Sequence, residues 1–473
     1  MWRGNSHSAD LSHPVPSTLQ EHPFGERSGT TLLHRIFLRG SAHFHHLKNK
    51  PFIRNASVAV GGAATAQFIT IAFSPLITRL YGPEAFGAVG VFTATVLIIA
   101  SFADLMYGTA IVLPPSNAEA RSLLKLSAVA CLVISFMSLI GFGIYRQEIA
   151  DAVGFSASPD LLLFAPLMIL LSGLCQPLHH WLYRQGKFNE ISWINIVEAL
   201  ANNASKVMFG VVAATTPVLL VLGVASKLLQ TLLLWLRARP SVLRESALSP
   251  SAEEPAGPSD LRSVAYRYRD FPFFRAPQKW LKDLSFSIPS LMFASLLGPA
   301  AVGFYLLSTR VIHLPNTVIA EAAGPVFLAR IAKATHQSQS LRPILLKGSL
   351  GLAAIGIFPF GLVALVGPSL FGVVFGAEWA IAGEYARWLS LSSYLTFIAV
   401  PTLSAVPLMG LQGHLLVYEL GTAAVRAGAL AFGALYFNSD VIAIALFSIV
   451  GAGATLVQIL LCLALCNSRV RNG

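Results

Sequence analysis

From residue 56 onward the chain alternates long apolar runs with short polar or Gly/Pro-containing breaks. A helix that crosses a bilayer needs about 20 mostly apolar residues. By that ruler twelve stretches qualify: 56–78, 85–105, 122–145, 160–183, 190–214, 216–236, 277–299, 302–329, 343–366, 384–407, 414–436 and 440–466. Pro75, Pro289 and Pro315 fall inside the first, seventh and eighth of these, where kinks are expected. The pattern predicts an all-α, polytopic membrane protein with about 12 transmembrane helices.

The polar positions inside these runs are ordered. In the fifth stretch Asn195, Glu198, Asn202 and Lys206 recur at spacings of three and four, which is one face of a helix. Arg310, His313, Thr317 and Glu321 do the same in the eighth, and Glu419 and Arg426 share a face in the eleventh. A milder stripe of Gln67, Thr70, Ser74 and Thr78 lies in the first. Lys227 sits near the middle of the sixth, and Asp104 near the end of the second. A charge at the centre of a membrane helix costs about 2.5–3.5 kcal/mol on insertion scales, so such residues face a protein interior or a watery cavity. Six basic residues lie within the stretches: Lys206, Lys227, Lys282, Arg310, Arg387 and Arg426. Lys282, beside Asp283, reads as a snorkelling side chain, and Arg387, three residues after Glu384, as half of a local pair. Two readings compete for the rest. Either Glu198 with Lys206, Arg310 with Glu321 and Glu419 with Arg426 neutralise one another, or the cations line a path for an anion. Three helices with the same stripe favour the path. Glu198, Glu321, Glu419 and Asp104 are then candidates for a coupling proton or cation, with Asn202 and His313 as polar lining.

Composition agrees with the pattern: 55% of residues are hydrophobic and 12% charged, against about a quarter charged in soluble domains. The net charge of +11 does not require nucleic acid. With the N-terminus in the cytoplasm, the segments on that side hold 25 of the 33 Lys and Arg, and the opposite side holds only Arg79 and Arg146. That asymmetry predicts cytoplasmic N- and C-termini. All four cysteines fall within apolar stretches, so no disulfide framework is expected. No metal-spaced His/Cys cluster, phosphate-binding loop or nucleophile elbow occurs, and neither a cofactor nor an enzymatic activity is expected.

Four segments organise the chain. Residues 1–51 form a basic cytoplasmic extension, for which disorder, an amphipathic helix over 31–47 and a misassigned start all stay open. Residues 52–236 form a first six-helix lobe, 237–262 a Ser/Pro/Glu-rich linker, and 263–473 a second six-helix lobe. The halves echo one another. Gly82-Pro83-x-x-x-Gly87 returns as Gly298-Pro299-x-x-x-Gly303, and Gln185-Gly186 as Gln412-Gly413. Because each half has an even number of spans, the two lobes should be related by an axis along the membrane normal, with a cavity between them. The four motif glycines are candidate turn residues, flexible points or sites of close packing.

Three segments carry a family resemblance. Arg54-Asn55 followed by SPLITRLYGPEAFGAVGVF (74–92) resembles the opening of the oligosaccharide flippases, the Wzx-like polysaccharide-biosynthesis branch of the MOP superfamily. YRDFPFFRAPQKWLKDLSFSIPSLMFASLLGPAAVGFYLLSTRVIHLP (268–315) resembles the start of that family's second half, and LFGVVFGAEWAIAGEYARWLS (370–390) its loop between spans nine and ten. Where relatives often read R-Y-E-x-A-I-x-L-P, this chain has Met106-Tyr107-Gly108-Thr109-Ala110-Ile111-Val112-Leu113-Pro114, without either charge. The resemblance implies a bacterial inner-membrane protein that moves undecaprenyl-pyrophosphate-linked sugar repeats by alternating access, for O-antigen, capsule or exopolysaccharide. Lys206, Lys227, Arg310 and Arg426 become the cations for the pyrophosphate. Membrane lipids, a polysaccharide polymerase and chain-length machinery become the partners. A multidrug or metabolite exporter of the related two-lobed kind is the alternative. A membrane-bound polysaccharide polymerase ranks lower, since no large external loop offers catalytic residues.

Overall fold

The computed structural model describes residues 51–469 apart from 157, 248–259, 338 and 410. The basic extension, with its proposed helix over 31–47, and most of the linker lie outside the described residues. Residues 55–473 form one compact unit; the described residues of the other, 51–54, open the first helix.

The major helices are α1 Pro51–Leu80, α2 Pro83–Ala100, α3 Asn117–Ile144, α4 Ala165–Arg184, α5 Phe188–Gly210, α6 Thr216–Ala247 and α7 Ala276–Leu297. They continue as α8 Pro299–Ile312, α9 Glu321–His336, α10 Arg342–Phe375, α11 Ala380–Ile398, α12 Gln412–Phe437 and α13 Asp440–Arg469. Local chemistry sets several ends. Pro83 and Pro299 open α2 and α8, where a missing N–H costs nothing. The Ser116 hydroxyl accepts the Glu119 N–H at 3.2 Å to cap α3. Asn438, left-handed at φ 48°, ends α12.

Among the described residues eight helices are long and apolar enough to cross a membrane. The stretches expected at 190–214, 277–299, 302–329 and 384–407 are helical as well but fall outside that set. Most of them carry the intramembrane charges, and two are interrupted. Beyond Pro315 the chain makes a π-turn over Asn316–Ala320 before α9, and Val400–Ala405 is a separate short helix. The second stretch also ends early, at Ala100. Large apolar side chains such as Phe136, Met137 and Ile144 on α3 and Leu365 and Val373 on α10 point outward, as a lipid-facing surface requires.

Within the first half α3 and α6 pack on α4, and α5 packs on α6. Within the second, α10 and α13 pack on α11, and α12 packs on α13. The main link between halves is α2 against α8, with α7 also packed on α2. The two Gly-Pro-x-x-x-Gly motifs cross there. A Cβ on Gly87 would fall 1.7 Å from the Pro299 carbonyl oxygen, and one on Gly303 2.2 Å from that of Pro83. Any side chain at either position would force the backbones apart. Beside the crossing sits Trp379, 1% exposed, with Phe86 and Phe304 edge-on to its ring at 5.6 and 5.9 Å. Its indole N–H donates to the Thr78 carbonyl at 2.9 Å, while Arg79 donates to the Val373 carbonyl at 2.8 Å. This end of the molecule is tightly closed.

Two boundaries differ from the sequence reading. α6 runs on to Ala247, into the expected linker, because Ala238 is buried and Trp181 donates to the Ser241 hydroxyl at 3.1 Å. After the linker, helix Leu261–Arg267 packs on α3 of the first half: Val264 is fully buried, and Arg267 pairs with Glu119 at 3.1 Å.

Candidate functional site

Away from the closed end, α2 and α8 part and enclose a cavity of about 490 Å³ with α1, α5 and α7. The α5 stripe delivers Asn202 and Lys206 to its wall, and α8 delivers Arg310 and, just past its end, His313. Gln67, Thr70 and Thr317 add neutral polar groups. The Asn203 amide ties α5 to α1 by donating to the Thr70 hydroxyl at 3.2 Å, and the Tyr81 hydroxyl donates to the Lys206 carbonyl at 3.1 Å. Lys206 and Arg310 thus come from different halves of the chain and meet in one space. Among the described residues neither has a carboxylate within 4.0 Å, the limit of a direct ion pair. The Arg310 guanidinium lies 5.9 Å from the centre of the Phe86 ring across the cavity. Glu198 acts on Lys206 at longer range, but with no direct carboxylate partner among the described residues, two half-buried cations facing one cavity favour an anionic occupant, since Coulomb attraction is what offsets the desolvation of charge.

A smaller cavity of about 180 Å³ adjoins the first through Asn202 and Lys206, and its wall includes Glu198 and Lys227. The expected Glu198–Lys206 pair is replaced by a bond from the Ser226 hydroxyl to Glu198 at 2.6 Å. Lys227 donates to Gln230 at 2.9 Å, and Gln230 in turn donates to Asn195 at 3.2 Å. Ser226 and Gln230 were not among the expected site residues. Their signal was faint: one turn of polar residues around Lys227 within an otherwise apolar run. A third cavity, about 260 Å³, holds Arg426 and shares His313 with the first.

The remaining acidic candidates stand apart. Asp104 is buried, and its carboxylate accepts the Met106 and Gly108 N–H groups at 3.0 and 3.1 Å. Those bonds hold Leu105 and Met106 in left-handed conformations, φ 48° and 60°, and account for the early end of α2. Asp104 therefore has a structural role in this turn. Glu419 is exposed, and the Glu321 side chain lies outside the described residues. Arg387 makes the expected local contact with Glu384 at 3.3 Å. Lys282 is exposed, while its neighbour Lys279 pairs with Asp283.

Comparisons with known proteins agree with this architecture. Residues 76–249 match a family described as "Polysaccharide biosynthesis protein". The succinoglycan biosynthesis transport protein ExoT of Rhizobium meliloti (strain 1021) is 26% identical over 380 residues, covering 79% of this chain and 72% of that protein. Among solved structures, the inward-facing form of a multidrug resistance MATE family transporter of the MOP superfamily superposes with a TM-score of 0.66 at 14% identity, over 88% of this chain and 99% of that one. The outward-facing form of such a transporter gives 0.54 at 15% identity, over 90% and 97%. The MATE multidrug transporter DinF-BH gives 0.57 at 16% identity, over 93% and 98%. These matches show a transporter fold with many membrane-crossing helices. Over residues 76–249 the chain thus resembles the polysaccharide-biosynthesis proteins, and over most of its length it has the fold of the MATE transporters.

Proposed function

We propose that this protein translocates undecaprenyl-pyrophosphate-linked oligosaccharides across the bacterial inner membrane by alternating access. The observation that carries this reading is the cavity between α2 and α8, where Lys206 and Arg310 from opposite halves face one space without carboxylate partners among the described residues. A pyrophosphate there would supply the missing countercharge, and Arg310 offers a planar fork suited to it. The sugar would share the cavity while the polyprenyl tail stays in lipid.

The charge asymmetry supports cytoplasmic termini, and with that orientation the Gly87–Gly303 crossing and Trp379 are the outer seal. The greater likeness to the inward-facing neighbour supports a cytoplasm-open state. In this reading all twelve expected stretches span the membrane, and the halves 52–236 and 263–473 rock about the α2–α8 contact. The four less apolar helices are tolerated because their polar faces line cavities. Glu198, bonded to Ser226 beside Lys227, is the acidic group best placed to carry a coupling proton or cation.

The likeness to multidrug transporters favours a second reading, an exporter of small molecules. A strain lacking the gene separates the two. Translocation predicts loss of the surface polysaccharide, with lipid-linked repeat units accumulating on the cytoplasmic leaflet. An unchanged polysaccharide with new sensitivity to toxic compounds would replace this reading with the exporter.

A further inference from the structure

Arg426 stands in a cavity of its own. It projects from α12 into the space of about 260 Å³ enclosed by α7, α8, α11 and α13 of the second half. Tyr305, Thr309 and His313, four residues apart, line both this cavity and the central one and form the shared wall. The guanidinium has a built seat. Its central carbon lies 4.0 Å from the centre of the Phe447 ring. Beneath it is Gly451, where a Cβ would come within 2.8 Å of the Arg426 Nε. That Nε is buried and has no hydrogen-bond partner among the described residues. A buried guanidinium N–H left unpaired is costly, and an occupant of the cavity is the natural acceptor.

The rest of the wall specifies the occupant further. Thr309, Ser392, Thr396 and Thr455 each donate their hydroxyl proton to a carbonyl of their own helix, at 2.9, 3.1, 2.9 and 3.0 Å. A hydroxyl has one donor and two acceptor lone pairs, so the three threonine oxygens have acceptor capacity left, while Ser392 already accepts the Ser448 hydroxyl at 3.1 Å. The cavity therefore combines one strong cationic donor with several neutral acceptors. The complementary ligand carries one anionic group and several hydroxyl donors. At about 260 Å³ the space lies below the roughly 300–1,000 Å³ of pockets for drug-sized molecules, which suits a single sugar ring rather than a chain. Arg310 and Lys206 line the central cavity and Arg426 does not, so the two cationic groups face different spaces.

We infer that Arg426 forms a second, separate anion subsite that selects a sugar bearing a carboxylate within the transported oligosaccharide. This rests on the translocation reading for the origin of the sugar, but the subsite has its own geometry. Arg426, seated on the Phe447 ring, binds the acid group, the hydroxyl oxygens of α8, α11 and α13 receive the ring hydroxyls, and His313 joins the subsite to the pyrophosphate cavity.

Equilibrium binding to the full chain in lipid nanodiscs tests it, with three probes: the acidic disaccharide cellobiouronic acid, its neutral counterpart cellobiose, and undecaprenyl pyrophosphate without sugar. The acidic disaccharide should bind the unaltered protein roughly tenfold more tightly than cellobiose, a difference of about 1.4 kcal/mol. That preference should vanish in Arg426→Gln and persist in Arg310→Gln. Gly451→Ala, which displaces the guanidinium while keeping the charge, should reduce it too. Undecaprenyl pyrophosphate should respond in the opposite way, weakened by Arg310→Gln and unaffected by Arg426→Gln. An acid preference that survives Arg426→Gln in a folded protein overturns the inference. So does a loss of undecaprenyl pyrophosphate binding in that variant equal to the loss in Arg310→Gln. If the unaltered protein ignores undecaprenyl pyrophosphate yet shows an Arg426-dependent acid preference, the translocation reading fails and the subsite stands.

Discussion

The helices α2 and α8 behave differently at their two ends. At their starts the backbones touch, with Gly87 and Gly303 leaving no room for a side chain. Two turns further on, about 10 Å at 1.5 Å per residue, the same α8 presents Arg310 to a cavity of about 490 Å³. One end is closely packed and interlocked; the other is cationic and hollow. The contrast separates two jobs. The crossing holds the halves together, and the cavity below it is free to carry charge that a packed interface could not tolerate. In the proposed alternating-access cycle, rocking would have to loosen the first without disturbing the second.

Trp379→Ala should have the largest effect on the closed end. It removes a fully packed ring and its bond to Thr78, and should destabilise the protein by about 3–5 kcal/mol, read as a lowered thermal midpoint in detergent. Gly303→Ala comes next. Its Cβ meets the Pro83 carbonyl, and overpacking of this kind costs about 1–3 kcal/mol; cysteines placed on α2 and α8 should then cross-link less readily. The Gly-Pro turns offer a finer test, because the two copies of the motif differ. Gly298 has φ +87°, whereas Gly82 has φ −67°, where a Cβ would make only an ordinary contact, 3.8 Å from the Glu378 carboxylate. Gly298→Ala should therefore cost about 1–2 kcal/mol and Gly82→Ala less than about 0.5 kcal/mol. Equal effects in the two would contradict the assignment of distinct turns to the repeat.

The sequence made the helices legible because apolar runs are long and their breaks are marked by Gly and Pro. It also placed Lys206, Arg310 and Arg426 on inward faces, since spacing of three and four is enough to define a face. What it missed were partners across helices. Nothing local indicates that Glu198 bonds Ser226, 28 residues away, rather than Lys206 on its own helix. Asp104 looked like a membrane acid because its N–H donors, Met106 and Gly108, become available only once the chain turns left-handed. The interlocking of the motif glycines was likewise invisible, because recurrence along the chain does not say that the copies touch.

The central claim is that Arg310 and Lys206 draw a lipid-linked pyrophosphate into the cavity. Its most direct test uses proteoliposomes loaded with undecaprenyl-pyrophosphate-linked oligosaccharide, with transport scored as exposure of the sugar to an impermeant glycosidase. The unaltered protein should expose the sugar in a time-dependent way. Arg310→Glu, inserted and folded, should stay at the protein-free background. Transport by Arg310→Glu at the unaltered rate would contradict the claim and leave the cavity without its assigned cargo.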